Sequence, residues 1–442
     1  MIIIMNADFR HSVYLDKEKC KGCINCIKRC PTQAIRVRNG KAEIIKEFCI
    51  DCGECIRICT HHAKMALYDP LSVIDDYEYT VALPPPSLYA QFNNLEDTNI
   101  VLRALLKMGF DDVYEVSAAA ELVSELSRKY IEEHKDKRPF ISSACPSVVR
   151  LIRVKFPNLI DNILPIAAPI DIAASEARKI AVKKTGLPPE KIGIIFISPC
   201  PAKMTAVNSP LAYDKSDVDA VVAMKEVYPA LLGHMKNSVD DDTELAASGK
   251  IGISWGKSGG EAGGLLTDSY LAADGIENVI KVLEDLEDEK ISDLDFIELN
   301  ACFGGCVGGT LTVENPYVAK AKLNSLRHYM PVSRSHLNET ELDAPYFEKE
   351  IEYVPVFKIG KSLKDSIAAM AQISLYCDRF PGLDCGSCGA PTCRALAEDI
   401  VSGRAHEQDC IYMLRDYIHQ LSQQFSILDS FMGKASNEDE DK

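Results

Sequence analysis

Cys302 and Cys306 stand in the run Glu298-Leu-Asn-Ala-Cys-Phe-Gly-Gly-Cys-Val-Gly-Gly309, directly after a short β-type segment, Phe296 to Leu299. No other stretch restricts the fold as strongly. Thiolates are soft ligands suited to iron–sulfur clusters or zinc. The surrounding glycines let backbone approach a bulky group closely, so the segment reads as a wall around something larger than a single ion. Phe140-Ile-Ser-Ser-Ala-Cys145-Pro146 and Ile192-Gly-Ile-Ile-Phe-Ile-Ser-Pro-Cys200-Pro-Ala-Lys203 likewise run an apolar strand into a cysteine. Ligands of open α/β sheets sit beyond the carboxyl ends of the strands. Cys145, Cys200, Cys302 and Cys306 are therefore expected to converge on one four-thiolate site, the alternative being separate buried cysteines.

These three segments, in this order and spacing, resemble the active-site motifs of the iron-only (FeFe) hydrogenases, over roughly residues 75 to 325. The resemblance implies an H-cluster: a 4Fe–4S cubane on Cys145, Cys200, Cys302 and Cys306, with Cys306 bridging to a two-iron subsite carrying CO, cyanide and a dithiolate. Lys203 matches the family lysine whose ammonium contacts a cyanide. The chain departs from fast hydrogenases at three points. Ala144 stands at the cysteine that relays protons, and its methyl can neither donate nor accept one. Ser198 replaces a methionine that packs against the subsite, which is expected to make the pocket more polar. Pro84-Pro-Pro-Ser-Leu-Tyr-Ala-Gln-Phe-Asn94, with no carboxylate, replaces a glutamate-containing stretch. These changes resemble sensory hydrogenases.

Residues 1–73 carry Cys20-x2-Cys23-x2-Cys26-x3-Cys30-Pro31 and Cys49-x2-Cys52-x2-Cys55-x3-Cys59. This is the two-cluster bacterial ferredoxin pattern, in which the fourth cysteine of each run ligates the other cluster. Cluster one takes Cys20, Cys23, Cys26 and Cys59, and cluster two takes Cys49, Cys52, Cys55 and Cys30. Zinc prefers two CxxC pairs set well apart. Thr60 occupies the place of a usual second proline, and His61 and His62 read as surface residues. Near the other end, Cys385-Gly-Ser-Cys388-Gly-Ala-Pro-Thr-Cys393 with Cys410 resembles a small four-cysteine iron–sulfur domain. A 4Fe–4S cluster is the favoured reading, and structural zinc is the alternative. Once eight, four and four of the 17 cysteines are assigned, Cys377 remains, expected to be a buried inert thiol.

Between these ends, short apolar runs alternate with helical patterns. The strand candidates are Tyr79–Leu83, Val113–Val116, Phe140–Ser142, Ile192–Ile197, Val218–Val222 and Phe296–Leu299. Helices are expected from Asn99 to Met108, stopped at Gly109, and from Asp171 to Lys184, and an acidic helix plus turn over Glu277–Asp293. Alternation of this kind implies mostly parallel, doubly wound α/β sheets as the catalytic domain, residues 74–370. An N-terminal α+β ferredoxin-like domain precedes it and a helical iron–sulfur domain, 371–410, follows; residues 325–360 read as connecting structure. Ile411, Leu414, Ile418, Leu421, Phe425 and Leu428 repeat at 3-4-3-4-3, an a/d seam on an amphipathic helix, 411–432. That seam is expected either to make a homodimer through residues 411–428 or to dock on its own domain. An acidic tail, 433–442, is expected to be disordered.

Hydrophobic residues make up 47% of the 442-residue chain, ample for a core, and the formal charge of −16 argues against nucleic acid and anionic membranes. Nothing approaches the roughly 18 consecutive apolar residues of a transmembrane helix. Met1-Ile-Ile-Ile-Met5 is too short for a signal peptide. Metal-type cysteine spacing points to a reducing, cytoplasmic compartment. The resemblance implies an anaerobic setting, H2 and protons as substrates, diiron-subsite maturation proteins, and ferredoxin or another redox or signalling protein as partner. The leading expectation is a slow, reversible hydrogenase that senses H2 or redox state. The alternatives are a metabolic ferredoxin-linked hydrogenase and a hydrogenase-like assembly or scaffold protein without the diiron unit.

Overall fold

The structure, a computed structural model, describes residues 11–291, 293–336, 342, 345–354 and 362–437. They divide into two compact units. One comprises 11–14, Cys49–Arg57 and Lys64–Val354; the other comprises Leu15–Phe48, Ile58–Ala63 and the described residues from 362 onward.

The first unit is α/β and built on two parallel sheets. A four-stranded sheet runs in the order Asp112–Val113, Tyr79–Leu83, Ile192–Ser198, Ala220–Ala223, and a three-stranded sheet in the order Tyr270–Asp274, Phe296–Asn300, Phe140–Ile141. The strand pairings within them are parallel. Side chains alternate between faces of a strand, and here both faces are buried. Val81, Leu83, Ile194, Phe196 and Val221 enter one apolar core, whereas Ala82, Ile195, Ile197 and Val222 enter another. Phe140 and Phe296 of the three-stranded sheet join the first core, so the two sheets share it. Ile141, Ile297 and Leu299 face the opposite way, against Val148, Leu151, Val279 and Leu283. Strands buried on both sides read as unbroken apolar runs, which is why Ile192–Ser198 was legible from sequence.

Helix Asn99–Met108 begins and ends as its sequence predicts: the Asp97 carboxylate accepts from the Asn99 N–H at 2.9 Å and Gly109 closes the last turn at φ 120°. The second expected helix starts earlier, at Pro169, because proline suits a first helical position, and it ends at Thr185. Two expectations need correction. Val113–Val116 contributes only Asp112–Val113 as strand, since Val116 already opens a helix to Glu133. Strand Tyr270–Asp274 was not expected; it is an edge strand with exposed and half-buried positions and so lacks a continuous apolar signature. The acidic segment folds as helix Ile276–Glu287.

Glu121, on the inner face of helix Val116–Glu133 and only 1% exposed, ties the active-site side of this unit together. Its two oxygens accept from the N–H groups of Gly249, Gly252, Arg334 and Ser335, at 2.8–3.2 Å, and from Ser333 Oγ at 2.9 Å. A carboxylate that accepts several backbone donors offsets its own desolvation. Here it anchors the glycine-rich 249–264 segment.

The second unit contains helix Asn25–Arg29, the antiparallel hairpin Ile35–Arg38/Lys41–Ile44, and helices Leu363–Arg379, Cys393–Val401 and Ile411–Asn437. Helix Leu363–Arg379 packs on Cys393–Val401 around Ile373, Phe380, Leu396 and Cys410. The last helix extends past the expected end at residue 432, so residues 433–437 are helical and not a loose tail. The remaining tail, 438–442, lies outside the described residues, as does part of the connecting stretch 325–360. No helix among the described residues is long and apolar enough to cross a membrane.

Candidate functional site

Four cysteines of the first unit follow the carboxyl ends of parallel strands. Phe140–Ile141 leads to Cys145, Ile192–Ser198 to Cys200, and Phe296–Asn300 to Cys302 and Cys306. Two of these strands belong to one sheet and one to the other, and the structure brings all four thiols together. Burial raises the Cys200, Cys302 and Cys306 thiols, Cys306 to about 12, and the cysteines raise one another further because each disfavours a second negative charge nearby. Four adjacent thiols, three of them with ionisation disfavoured by burial, form a donor set that a metal cluster would complete, its positive charge driving off the protons. The residues fit a cubane.

The glycines of this loop also serve the packing of the chain itself. A Cβ on Gly305, at φ 87°, would lie 2.4 Å from Ser258 N, and one on Gly309 would lie 2.2 Å from Pro199 O. They seat the cysteine loop against neighbouring backbone.

Beside Cys306 a cavity of about 50 Å3 opens, walled by Ala144, Lys203, Ser142, Glu261, Glu298 and Trp255 among others. Ser87, fully buried on that wall, has a hydroxyl without a protein partner. Buried polar groups are nearly always hydrogen-bonded, so this hydroxyl awaits a polar group inside the cavity. The cavity therefore fits a second, polar cofactor subsite next to Cys306. Lys203 Nζ lies 3.4 Å from Ala144 O and lines both this cavity and a neighbouring one of about 80 Å3.

Ser198 departs from its expectation. It is fully buried, donates to Cys200 O at 2.8 Å and accepts from Cys200 N at 3.3 Å. Its hydroxyl closes the Cys200 turn and does not face the cavity, because local backbone groups satisfy it. The Pro84–Asn94 stretch does reach the site: helix Pro86–Tyr89 places Pro85, Pro86 and Ser87 on the cavity wall.

Sequence reasoning missed two buried carboxylates. Glu261 accepts from Ser142 Oγ at 2.6 Å; Glu298 accepts from Gly259 N, Ala262 N and Asn300 Nδ2 at 2.7–3.0 Å. Burial, and then the neighbouring Glu298 charge, pushes Glu261 up to about 8. Burial also raises Glu298, but its N–H donors oppose this and favour its charged form. Glu261 therefore holds the proton of the pair. A usable signal existed: Glu261 lies in a glycine-rich run beside Trp255, the chain's one tryptophan.

The Cys49–Cys55 loop packs on this site within the same unit. Asp51 accepts from His11 Nδ1, Val13 N and Thr205 Oγ1 at 2.8–3.0 Å, Thr205 lying on the helix that follows Cys200. Arg57 donates to Gly308 O at 2.8 Å, and its charge favours the thiolate form of Cys302. Gly53, at φ 79°, leaves no room for a Cβ beside Thr310. Three of cluster two's expected ligands thus stand next to the cubane site. Cys20, Cys23, Cys26 and Cys59 all lie in the second unit, where Ala42 N donates to Cys20 Sγ at 3.4 Å and Ala63 N to Cys59 Sγ at 3.3 Å. Cys30, in the same unit, receives Ala34 N at 3.2 Å. His61 and His62 are exposed. Also in that unit, Cys385, Cys388 and Cys410 lie close enough to influence one another's charge. Cys377 is half-buried beside Cys393, and burial raises its thiol.

Clustered thiols on an α/β scaffold, with a cavity at one of them, define an iron–sulfur redox protein. Residues 78–266 and 261–310 match the model for the iron only hydrogenase large subunit, C-terminal domain, and the chain belongs to that family. Residues 12–60 match a 4Fe-4S dicluster domain and 380–412 a small Fe–S family. The chain is 23% identical over 383 residues to the NADP-reducing hydrogenase subunit HndD of Solidesulfovibrio fructosivorans, covering 68% of this chain and 64% of that one. It is 23% identical over 374 residues to iron hydrogenase 1 of Clostridium pasteurianum, covering 67% and 64%. The chain thus spans about 64% of the length of both relatives. The cytosolic Fe-S cluster assembly factor nar1 of Aspergillus flavus is 26% identical over 109 residues, 25% of this chain and 18% of that one.

The raised carboxyl of Glu261 makes stability depend on pH. Between the ordinary carboxylate value of 4.5 and about 8 the folded chain keeps a proton that the unfolded chain has lost. This contribution is fully present below the lower value and is lost as pH rises towards the upper one. Glu261→Gln, which cannot ionise, should flatten the decline. Urea midpoints measured across that pH window check it; an undiminished slope in the variant would show that Glu261 is not the group responsible.

Proposed function

We propose that this chain is a slow, reversible FeFe hydrogenase that reports H2 or redox state to a partner in the cytoplasm. The observation that carries this reading is the cavity beside Cys306, closed by Lys203 on one side and by the inert Ala144 on another. In the proposal Cys145, Cys200, Cys302 and Cys306 hold the cubane, and Cys306 also holds the two-iron subsite in the cavity. When bound, that subsite would supply the open metal position and bridge base at which H2 is split into, or made from, two protons and two electrons. The protein's part is to bind, orient and tune. Lys203 would offer a fixed cation to the subsite's anionic ligands.

Proton supply is where this chain differs from a fast enzyme. Ala144 supplies no relay atom, so a proton must reach the cavity by another group, and Glu261, protonated and bonded to Ser142 Oγ, is the buried acid on its wall. With its carboxyl pushed up to about 8 by burial, Glu261 keeps its proton at neutral pH and is the wall group placed to supply one. Electrons leave through the adjoining Cys49–Cys55 loop, and we propose 4Fe–4S clusters for both N-terminal sites and for the C-terminal four-cysteine site. The exposed apolar seam of helix Ile411–Asn437, with Ile411, Ile418, Phe425 and Leu428 about half or more exposed, is proposed to pair with a second copy.

The matured protein should show infrared bands of metal-bound CO and cyanide. Cys306→Ser should abolish those bands and all H2 oxidation while iron–sulfur absorbance persists; H2 oxidation at the parent rate would refute the bridging assignment. A protein that keeps its cubane but shows no such bands after maturation is a scaffold, not a hydrogenase. Ala144→Cys should raise turnover by less than the ~10²–10⁴-fold typical of a general acid–base group, because the 84–94 stretch still lacks a carboxylate; no gain in assayed H2 evolution would place the bottleneck elsewhere. Light scattering should report a dimer that Leu414→Glu/Leu421→Glu converts to monomer, and a dimer that survives the double change excludes the seam.

A further inference from the structure

Within the second unit the four-cysteine motif is seated on the cluster-one hairpin by a built contact. Asp399, 1% exposed, accepts from Arg36 Nε at 2.5 Å and Arg38 Nη2 at 2.9 Å, with Arg404 at 3.3 Å. Arg38 Nη1 donates to Cys388 O at 2.7 Å, and Lys28 donates to Asp384 O. Val37 N donates to Gly389 O at 2.8 Å, and a Cβ on Gly389, at φ 78°, would lie 1.9 Å from Val37 O. Only glycine allows that approach.

The hairpin register gives this contact a consequence. Val37 pairs with Ala42 across the antiparallel ribbon. The Val37 N–H points outward to Gly389 O, and the Ala42 N–H points outward on the other side, to Cys20 Sγ at 3.4 Å. The residue after Cys388 and the cluster-one ligand Cys20 therefore lie on opposite edges of a ribbon two strands wide, its strands roughly 5 Å apart. Electron tunnelling falls steeply with distance, and Gly389–Val37–Ala42–Cys20 is a short path, hydrogen-bonded at both ends and crossing the ribbon at the directly opposed Val37–Ala42 pair.

We infer that Gly389, Arg36, Arg38 and Asp399 hold the C-terminal four-cysteine site in electronic contact with cluster one, making it a terminal electron port and not only a structural knot. This rests on the proposed 4Fe–4S reading of both sites. In the step, one electron leaves reduced cluster one and reduces the oxidised C-terminal cluster, or the reverse. No bond forms or breaks and no proton moves. The outside donor or acceptor is a one-electron carrier.

The test is the relaxation of the cluster-one electron paramagnetic resonance signal in the full, cluster-loaded chain reduced with dithionite. A neighbouring paramagnetic cluster should speed that relaxation. Cys388→Ser/Cys393→Ser, which removes the C-terminal cluster and retains cluster two, should lower the half-saturation power of cluster one several-fold with its g-values unchanged. Gly389→Ala, which keeps every ligand but forces Val37 away, should lower it part of the way. Poising the wild type so that the C-terminal cluster alone changes oxidation state should give the same shift without any substitution. If cluster-one relaxation is identical with the C-terminal cluster reduced, oxidised and absent, the electronic contact is overturned while the cluster assignment stands. Zinc at Cys385–Cys410 in metal analysis, with no resonance from that site, overturns the cluster assignment and the inference together.

Discussion

Convergence of the four thiols Cys145, Cys200, Cys302 and Cys306 at the strand ends is the constraint on which the rest of the first unit depends. Removed from water, Cys200, Cys302 and Cys306 resist ionisation, and each thiolate formed would resist the next. A bound polycation would stabilise the thiolates together, so the packing that gathers the strand ends also suits a cluster. Arg57, beside Cys302, and Lys203, beside Cys306, are the cations that the fold itself contributes. Both come from segments flanking other cysteines, Cys55 and Cys200.

Buried carboxylates do the corresponding work for the backbone. Glu121, Glu298 and Asp51 each gather N–H or hydroxyl donors from segments far apart in the chain. Removing one leaves several buried donors unpaired, at about 1–3 kcal/mol apiece. Their placement explains how irregular, glycine-rich loops hold a rigid site without regular secondary structure of their own. Glu261 differs from them, since it receives one hydroxyl and no backbone N–H at its carboxylate, and so it keeps its proton. Two acids close together have thus been given different tasks by their donors.

The second unit repeats the device in another form. Asp399 collects Arg36 and Arg38 from the N-terminal hairpin and binds them to the last iron–sulfur motif, some 360 residues later in the chain. A buried carboxylate with several guanidinium partners is costly to disrupt from one side only, which makes the two motifs of that unit one structural body.

Cysteine spacing alone determined most of the chemistry: strand-then-cysteine segments, two ferredoxin runs and the final four-cysteine motif all have short-range signatures, because a cluster needs ligands at fixed offsets on tight turns. The long apolar strands, such as Ile192–Ser198, were equally legible, as strands buried on both faces must be continuously apolar. Tertiary structure alone decided the rest. Edge strand Tyr270–Asp274 carries no apolar run to betray it. Ser198 looked like a pocket residue until its hydroxyl was found bonded to Cys200. Glu261 and Glu298 are ordinary glutamates in sequence, and only burial side by side separates their proton affinities. The pairing of Asp399 with Arg36 and Arg38 has no local signal at all. Contacts between residues hundreds of positions apart depend on how whole elements pack, and side-chain charge and hydrogen bonding follow from that packing, not from neighbours in the chain.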